Sequence, residues 1–132
     1  MNKYQYLSPE WAEEAKLKLR EQISPEIMKY LSSSILTVYQ NCPDGKEKAL
    51  YYQIVDGVFQ DISIQEGDLS EAEFVITGDY ETFAQISRSE TKSSKALMNG
   101  NLRLKGNMIK ALSLVSIVEQ INHVLSEIPC KY

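Results

Sequence analysis

Residues 102–112 read "LRLKGNMIKAL", and the fold turns on how the chain passes through them. Leu102 and Leu104 alternate with Arg103 and Lys105, the period-two pattern of a strand with one apolar and one solvated face. Gly106 and Asn107 interrupt the pattern, and from Met108 the apolar residues recur at helical spacing. Asparagine is a favoured N-cap because its side-chain oxygen can accept from amides that the first helical turn leaves free. The stretch therefore predicts a strand, a turn and a capped helix. A phosphate loop is the wrong reading, since "KGN" lacks the several glycines of a P-loop or dinucleotide fingerprint. Nucleic acid fits no better. The chain is acidic overall, at a net charge of −4, and no aromatics interleave with its basic residues.

Downstream, the helix is expected from about Met108 to Glu127, with Pro129 beyond it. Ala111, Leu114, Val115, Val118, Ile121, Leu125 and Ile128 form one stripe at three- and four-residue steps. Met108, Ile109, Leu112 and Ile117 add apolar surface outside it. A helix packed on one sheet needs a stripe only ~100° wide, so the first two turns must bury a second side. A further helix, a subunit partner or a lipid would each do so.

Upstream, "EAEFVITG" (71–78) is a strand, "YETFAQIS" (80–87) a short helix behind Asp79, and "SETKSSKALMNG" (89–100) holds another, ended by Asn99-Gly100. "SILTVYQN", "KALYYQIV" and "VFQDISIQEG" are three strands joined by the turn cluster "NCPDGK" and by Asp56-Gly57, an antiparallel meander. Ser8-Pro9 and Ser24-Pro25 each read as a helix start, which makes the N-terminal third two helices. The order is helix, helix, three strands, strand, helix, helix, strand, helix. This is an α+β arrangement with the helices on one sheet face.

A chain of 132 residues suits one domain, residues 1–132, with one core. No apolar run approaches the ~20 residues that span a bilayer, and the opening "MNKYQYLSPEWAEEAK" lacks the apolar segment of a secretory signal. A cytoplasmic location is expected. Cys42 and Cys130 are read as free thiols. His123, the single histidine, sits late in the helical pattern as a surface or cap residue, and no zinc spacing exists. No nucleophile–base pair is readable, so neither catalysis nor a cofactor is expected. Charge is uneven: Asp56, Asp61, Glu66, Asp68, Glu71, Glu73, Asp79 and Glu81 run without a base, whereas Arg88, Lys92, Lys95, Arg103, Lys105 and Lys110 face only Glu90. Such asymmetry marks either two solvated faces or a partner surface.

The segment "FVITGDYETFAQISRSETKSSKALMNGNLRLKGNMIKALSL" (74–114) resembles the sterol carrier protein family, the apolar-ligand carriers of the sterol carrier protein two type. The resemblance rests on "ITGDYETF", on "KALMNGNLRLKGNM" and the apolar helix after it, and on Gly78, Gly100 and Gly106 at family-like spacing. The "YLSPEW" opening is similar to that of stand-alone prokaryotic members. One departure lies in "SRSETK", where the family often has a glycine near Ser89. The resemblance implies a five-stranded, mainly antiparallel sheet with helices on one face, enclosing an apolar tunnel beneath the C-terminal helix. It also implies non-catalytic binding of a fatty acyl chain, a sterol-like molecule or another lipid. Phe74, Ile76, Met98, Leu102, Leu104, Met108, Ile109, Leu112 and Val115 are then expected around a pocket of roughly 300–1,000 Å³. The six bases from Arg88 to Lys110 lie near that wall and could meet an anionic membrane. The alternative keeps the apolar helix surface as a protein interface, a homodimer among the choices.

Overall fold

A computed structural model describes residues 3–132, with Ser113 described by its backbone alone. A two-residue strand, β1 (Tyr4–Gln5), leads into helix α1 (Pro9–Gln22). The meander follows as β2 (Ser33–Gln40), β3 (Lys48–Val55) and β4 (Val58–Glu66). Next come β5 (Phe74–Asp79), α2 (Tyr80–Ser87), α3 (Ser93–Met98), β6 (Leu102–Lys105), the long helix α4 (Met108–Ser126) and β7 (Cys130–Lys131).

The main sheet has the order β4-β3-β2-β5-β6. Its pairings are antiparallel except for β2 beside β5, which is parallel with Ile35 opposite Phe74 and Tyr39 opposite Gly78. The mixed sheet follows from the route of the chain. After β4 the segment 67–73 crosses the sheet face away from the helices, and Leu69 and Ala72 pack there on Leu36, Val38 and Ala49. Strand β2 is thus covered on both sides, which explains why "SILTVY" is nearly continuous in apolar residues where a half-exposed strand would alternate.

Helices take the other face. Ser8 Oγ accepts from the Trp11 amide at 3.1 Å with Pro9 in the first turn, as the sequence predicts, and α1 buries Trp11, Ala15 and Leu19. Arg20 ties α1 to β4 by donating from Nε to the Phe59 carbonyl at 2.8 Å. The buried stripe of α4 includes Ala111, Leu114, Ile117, Ile121 and Leu125.

The second N-terminal helix expected from "SPEIMKYL" does not form. Ser24 Oγ does accept from the Ile27 amide at 3.2 Å, but Lys29 and Tyr30 both take φ of 54° and end the turn at once. Only Met28 is buried there, while Ile27 and Tyr30 are exposed. A segment this short with one anchor cannot offset the cost of nucleating a helix. The sequence also left out the parallel pairing of β1 with β7, Tyr4 opposite Cys130. Ser89 keeps the turn where the family often has glycine, at φ of 62°. Cys42 and Cys130 are free.

Candidate ligand cavity

The inner face of the sheet is a mosaic set by register. Ile35, Thr37 and Tyr39 project from β2, Tyr52 from β3, Phe74 and Ile76 from β5, and Leu102 and Leu104 from β6. Pairing of Ile76 with Leu104 and of Gly78 with Leu102 aligns the last two rows. Helix α4 faces them with Ala111, Leu114, Val115, Val118, Ile121 and Leu125, and α2 and α3 add Phe83, Ile86 and Leu97. Between these walls lies a cavity of about 70 Å³, room for roughly five waters.

The turn that opened the sequence reading now has a geometric cause. Gly106 takes φ of 144°, and a Cβ on it would lie 2.6 Å from the Phe74 ring and 2.9 Å from the Glu73 carbonyl oxygen. Phe74 is a cavity wall, so glycine is what lets β6 turn into α4 directly over it. Asn107 then caps α4, its Oδ1 accepting from the Ile109 and Lys110 amides at 3.0 and 3.1 Å.

The lining carries hydroxyls and one amide but no carboxylate, ammonium, guanidinium or imidazole group. Tyr6, Tyr39, Tyr52, Thr37, Ser87, Ser93 and Asn122 supply the polar groups. Burial pushes the phenols of Tyr6, Tyr39 and Tyr52 well above their ordinary value of 10, and the Tyr6 and Tyr39 hydroxyls interact with each other. Ser87 Oγ and Tyr132 Oη share a hydrogen bond of 2.6 Å. Ser93 Oγ donates to Glu119 Oε1 at 3.0 Å.

Of the nine residues expected around a pocket, Phe74, Ile76, Leu102, Leu104 and Val115 line this cavity. Met98, Met108, Ile109 and Leu112 do not, and they are 89%, 59%, 84% and 73% exposed. Ile109 and Leu112 begin an outer stripe of α4 that continues through the exposed Ser116, Gln120 and His123. The side of α4 that the sequence expects to be buried a second time is therefore uncovered by this chain. The volume also falls well below the expected range. Tyr6, Thr37, Tyr52 and Asn122 went unrecognised as lining residues. In "KALYYQIV" the period-two pattern puts Tyr52 on the same face as Leu50 and Ile54, which is the available signal for it.

The basic residues do not act as one group. Arg88 pairs with Glu81 at 3.1 Å and Glu90 at 2.7 Å, and Arg103 Nη2 donates to Gln40 at 3.2 Å. Lys110 Nζ donates to both oxygens of Glu73 at 2.9 Å. The Ser33 hydroxyl also donates to Glu73, and it and then Lys110 hold this carboxyl below its ordinary value. Lys92, Lys95 and Lys105 are exposed and form no ion pair among the described residues. No helix among the described residues is long and apolar enough to cross a membrane.

In sequence, the chain matches the SCP-2 sterol transfer family over residues 40–119, more than half its length. No curated protein matches it. Its fold is similar to the crystal structure of sterol carrier protein 2, with a TM-score of 0.82 and 24% identity over 94% of this chain and 99% of that one. A conserved hypothetical protein of Thermus thermophilus, suggested to be a sterol carrier protein, aligns with a TM-score of 0.77 and 24% identity, over 99% of this chain and 94% of that one. The palmitated sterol carrier protein 2 like 2 of Aedes aegypti aligns with a TM-score of 0.61 and 15% identity, over 84% of this chain and 94% of that one.

Proposed function

The chain belongs to the SCP-2 sterol transfer family, and we propose that it carries an apolar lipid, without catalysis, in the cavity between the sheet and α4. The observation that carries this reading is the cavity wall itself, built from Phe74, Ile76, Leu102, Leu104, Val115 and the residues around them. The palmitated form of the Aedes aegypti protein supports an acyl chain as one guest of this fold. In this reading residues 1–132 act as one cytoplasmic carrier domain. A void of about 70 Å³ holds no lipid as it stands, so loading requires α4 to move away from β5 and β6. Native mass spectrometry of freshly purified protein tests the proposal through a copurifying lipid mass. Val118→Trp, which fills the void from α4, should abolish that mass while the protein stays folded. A lipid retained in the folded variant would place the guest elsewhere.

A second reading concerns the uncovered side of α4. Met108, Ile109 and Leu112 are exposed and stand at steps of three and four residues, on one side of the helix. Lys105 is close by in the chain, and α3 adds Met98 with Lys92 and Lys95. This surface suits contact with an anionic membrane during lipid pickup, in which three bases each contribute on the order of 1 kcal/mol. Cosedimentation with vesicles should need anionic lipid, weaken with salt and fall when Ile109 and Leu112 become Ser. A homodimer in the native spectrum that those substitutions split would instead make the surface an interface.

A further inference from the structure

The cavity wall is not equally thick all round. Among the lining residues, Ile76, Leu97, Leu104, Val115, Val118 and Asn122 are half-buried, and every other one is buried. The half-buried residues are neighbours in the fold. Ile76 is opposite Leu104 at the β5–β6 edge of the sheet. Leu97 sits on α3, and Val115, Val118 and Asn122 follow one another at steps of three and four along one side of α4. Helix α3 lies beside both β6 and α4. The thin part of the wall is therefore the seam between α3 and α4, bordered by β6.

Glu119 stands on the same side of α4 and crosses that seam. Its Oε1 accepts from Ser93 Oγ and from the Ser94 amide, each at 3.0 Å. Little else holds α3. The helix is six residues long, its N-cap Lys92 supplies no side-chain acceptor, and its buried residues are Ser93 and Ala96. A helix this short does not sustain itself. Glu119 satisfies one of the amides that its first turn leaves free, through the stronger, charge-assisted kind of hydrogen bond. The fold of α3 thus depends on a carboxylate that belongs to α4.

We propose that guests enter and leave through the seam between α3 and α4, and that Glu119 is the clasp that keeps it shut. This rests on the carrier reading and adds to it the route of entry and the residue that governs access. When Glu119 lets go, α3 loses its cap, Leu97 loses the support that holds it against the cavity, and Val115 and Val118 are uncovered. No strand has to leave the sheet. The Lys110–Glu73 pair fastens the start of α4 separately, and release of either fastening widens the same seam.

The test pairs hydrogen exchange of the α3 amides with the rate at which the full chain takes up the neutral dye Nile red. Uptake by Val118→Trp, in which the void is filled, sets the baseline for dye held on the outer surface. Glu119→Ala should speed exchange at Ala96, whose amide donates to the Lys92 carbonyl at 3.1 Å, by about tenfold or more. That is the equivalent of one hydrogen bond to a charged group. The same variant should speed dye uptake several-fold. Glu119→Gln, which keeps an acceptor in place, should stay near the unaltered chain in both. Ser93→Ala removes one of the two bonds and should fall between them. Faster α3 exchange with unchanged uptake in Glu119→Ala overturns the inference, because the entry route then lies elsewhere. Protection of α3 that survives the loss of Glu119 overturns it as well. If Glu119→Ala does not fold, unaltered exchange and uptake in Ser93→Ala overturn it instead. If the unaltered chain takes up no dye above the Val118→Trp baseline, the carrier reading itself fails, and this inference with it.

Discussion

Gly106→Ala isolates the contact that joins strand, helix and cavity. The substitution has two costs. At φ of 144° an alanine is forced into a region that L-residues avoid, for about 1–3 kcal/mol. Its Cβ would also press on the Phe74 ring at 2.6 Å and on the Glu73 carbonyl oxygen at 2.9 Å. Neither neighbour yields easily. Phe74 is 1% exposed, and the Glu73 amide is held by Ser34 Oγ at 2.8 Å just before β5 pairs with β2. Overpacking of this kind adds about 1–3 kcal/mol, so the total should be about 4 kcal/mol. With a urea m-value of about 2 kcal/mol per molar, the unfolding midpoint should fall by about 2 M without a change in slope. Gly100→Ala supplies the control. Its φ is 84° but nothing lies within 4 Å of the added methyl, so it should cost about 1–2 kcal/mol. If Gly106→Ala proves no worse than Gly100→Ala, close packing on Phe74 is not what demands the glycine.

Two further outcomes are expected. The folded Glu73 carboxyl is held below its ordinary 4.5, so its contribution to stability is complete above pH 4.5 and is lost as pH falls through the lowered value. Urea midpoints should drop over that acidic window and drop less in Glu73→Gln, by under about 1 kcal/mol because the pair is part-exposed. The Cys42 and Cys130 thiols are both raised by burial, so a thiol reagent at pH 7.5 should label them slowly in the folded chain and fully in urea. Rapid labelling of Cys42 in the native state would contradict its burial.

Local chemistry made most of the strands and helices legible. The runs 48–55 and 80–87 carry alternating or helical patterns between clear turn signals, and both fall where the sequence places them. "SPEIMKYL" misled because a cap and a proline announce a helix without supplying the buried face that sustains one. The parallel β2–β5 pairing was not legible from the strands themselves. It depends on segment 67–73 crossing the outer face, and its anchors, Leu69 and Ala72, look like loop residues until Leu36 and Val38 stand beneath them. The cavity wall was legible on β6, where apolar and basic residues alternate strictly, and on β5, where Phe74 and Ile76 share one face. On α4 the stripe from Ala111 to Leu125 was legible and does line the cavity, but nothing in the sequence set Met108, Ile109 and Leu112 apart from it, because they are as apolar as Leu114 and Val115. Only the angular position of the sheet decides which set turns inward.

The smallness of the cavity is itself a consequence of packing energetics. Empty apolar volume costs about 24 cal/mol per Å³, so a dry void of about 300 Å³ would cost about 7 kcal/mol. That is comparable to the whole stability of a small domain. A void of about 70 Å³ costs closer to 2 kcal/mol on the same scale, which a folded chain tolerates. On the carrier reading proposed above, the unloaded chain closes on itself and a guest reopens it. Helix α4 is the element able to give way. Its C-terminal half buries Ile117, Ile121, Val124 and Leu125, while its first turn exposes Met108 and Ile109 and is held by the Asn107 cap and the Lys110–Glu73 pair. Loading in this scheme swings the start of α4 while its end stays docked. Asn107→Ala weakens that hold, by about 1 kcal/mol for a lost cap, and should speed uptake of Nile red. Faster uptake with an unaltered urea slope is the expected result; an unchanged uptake rate would locate the moving element elsewhere.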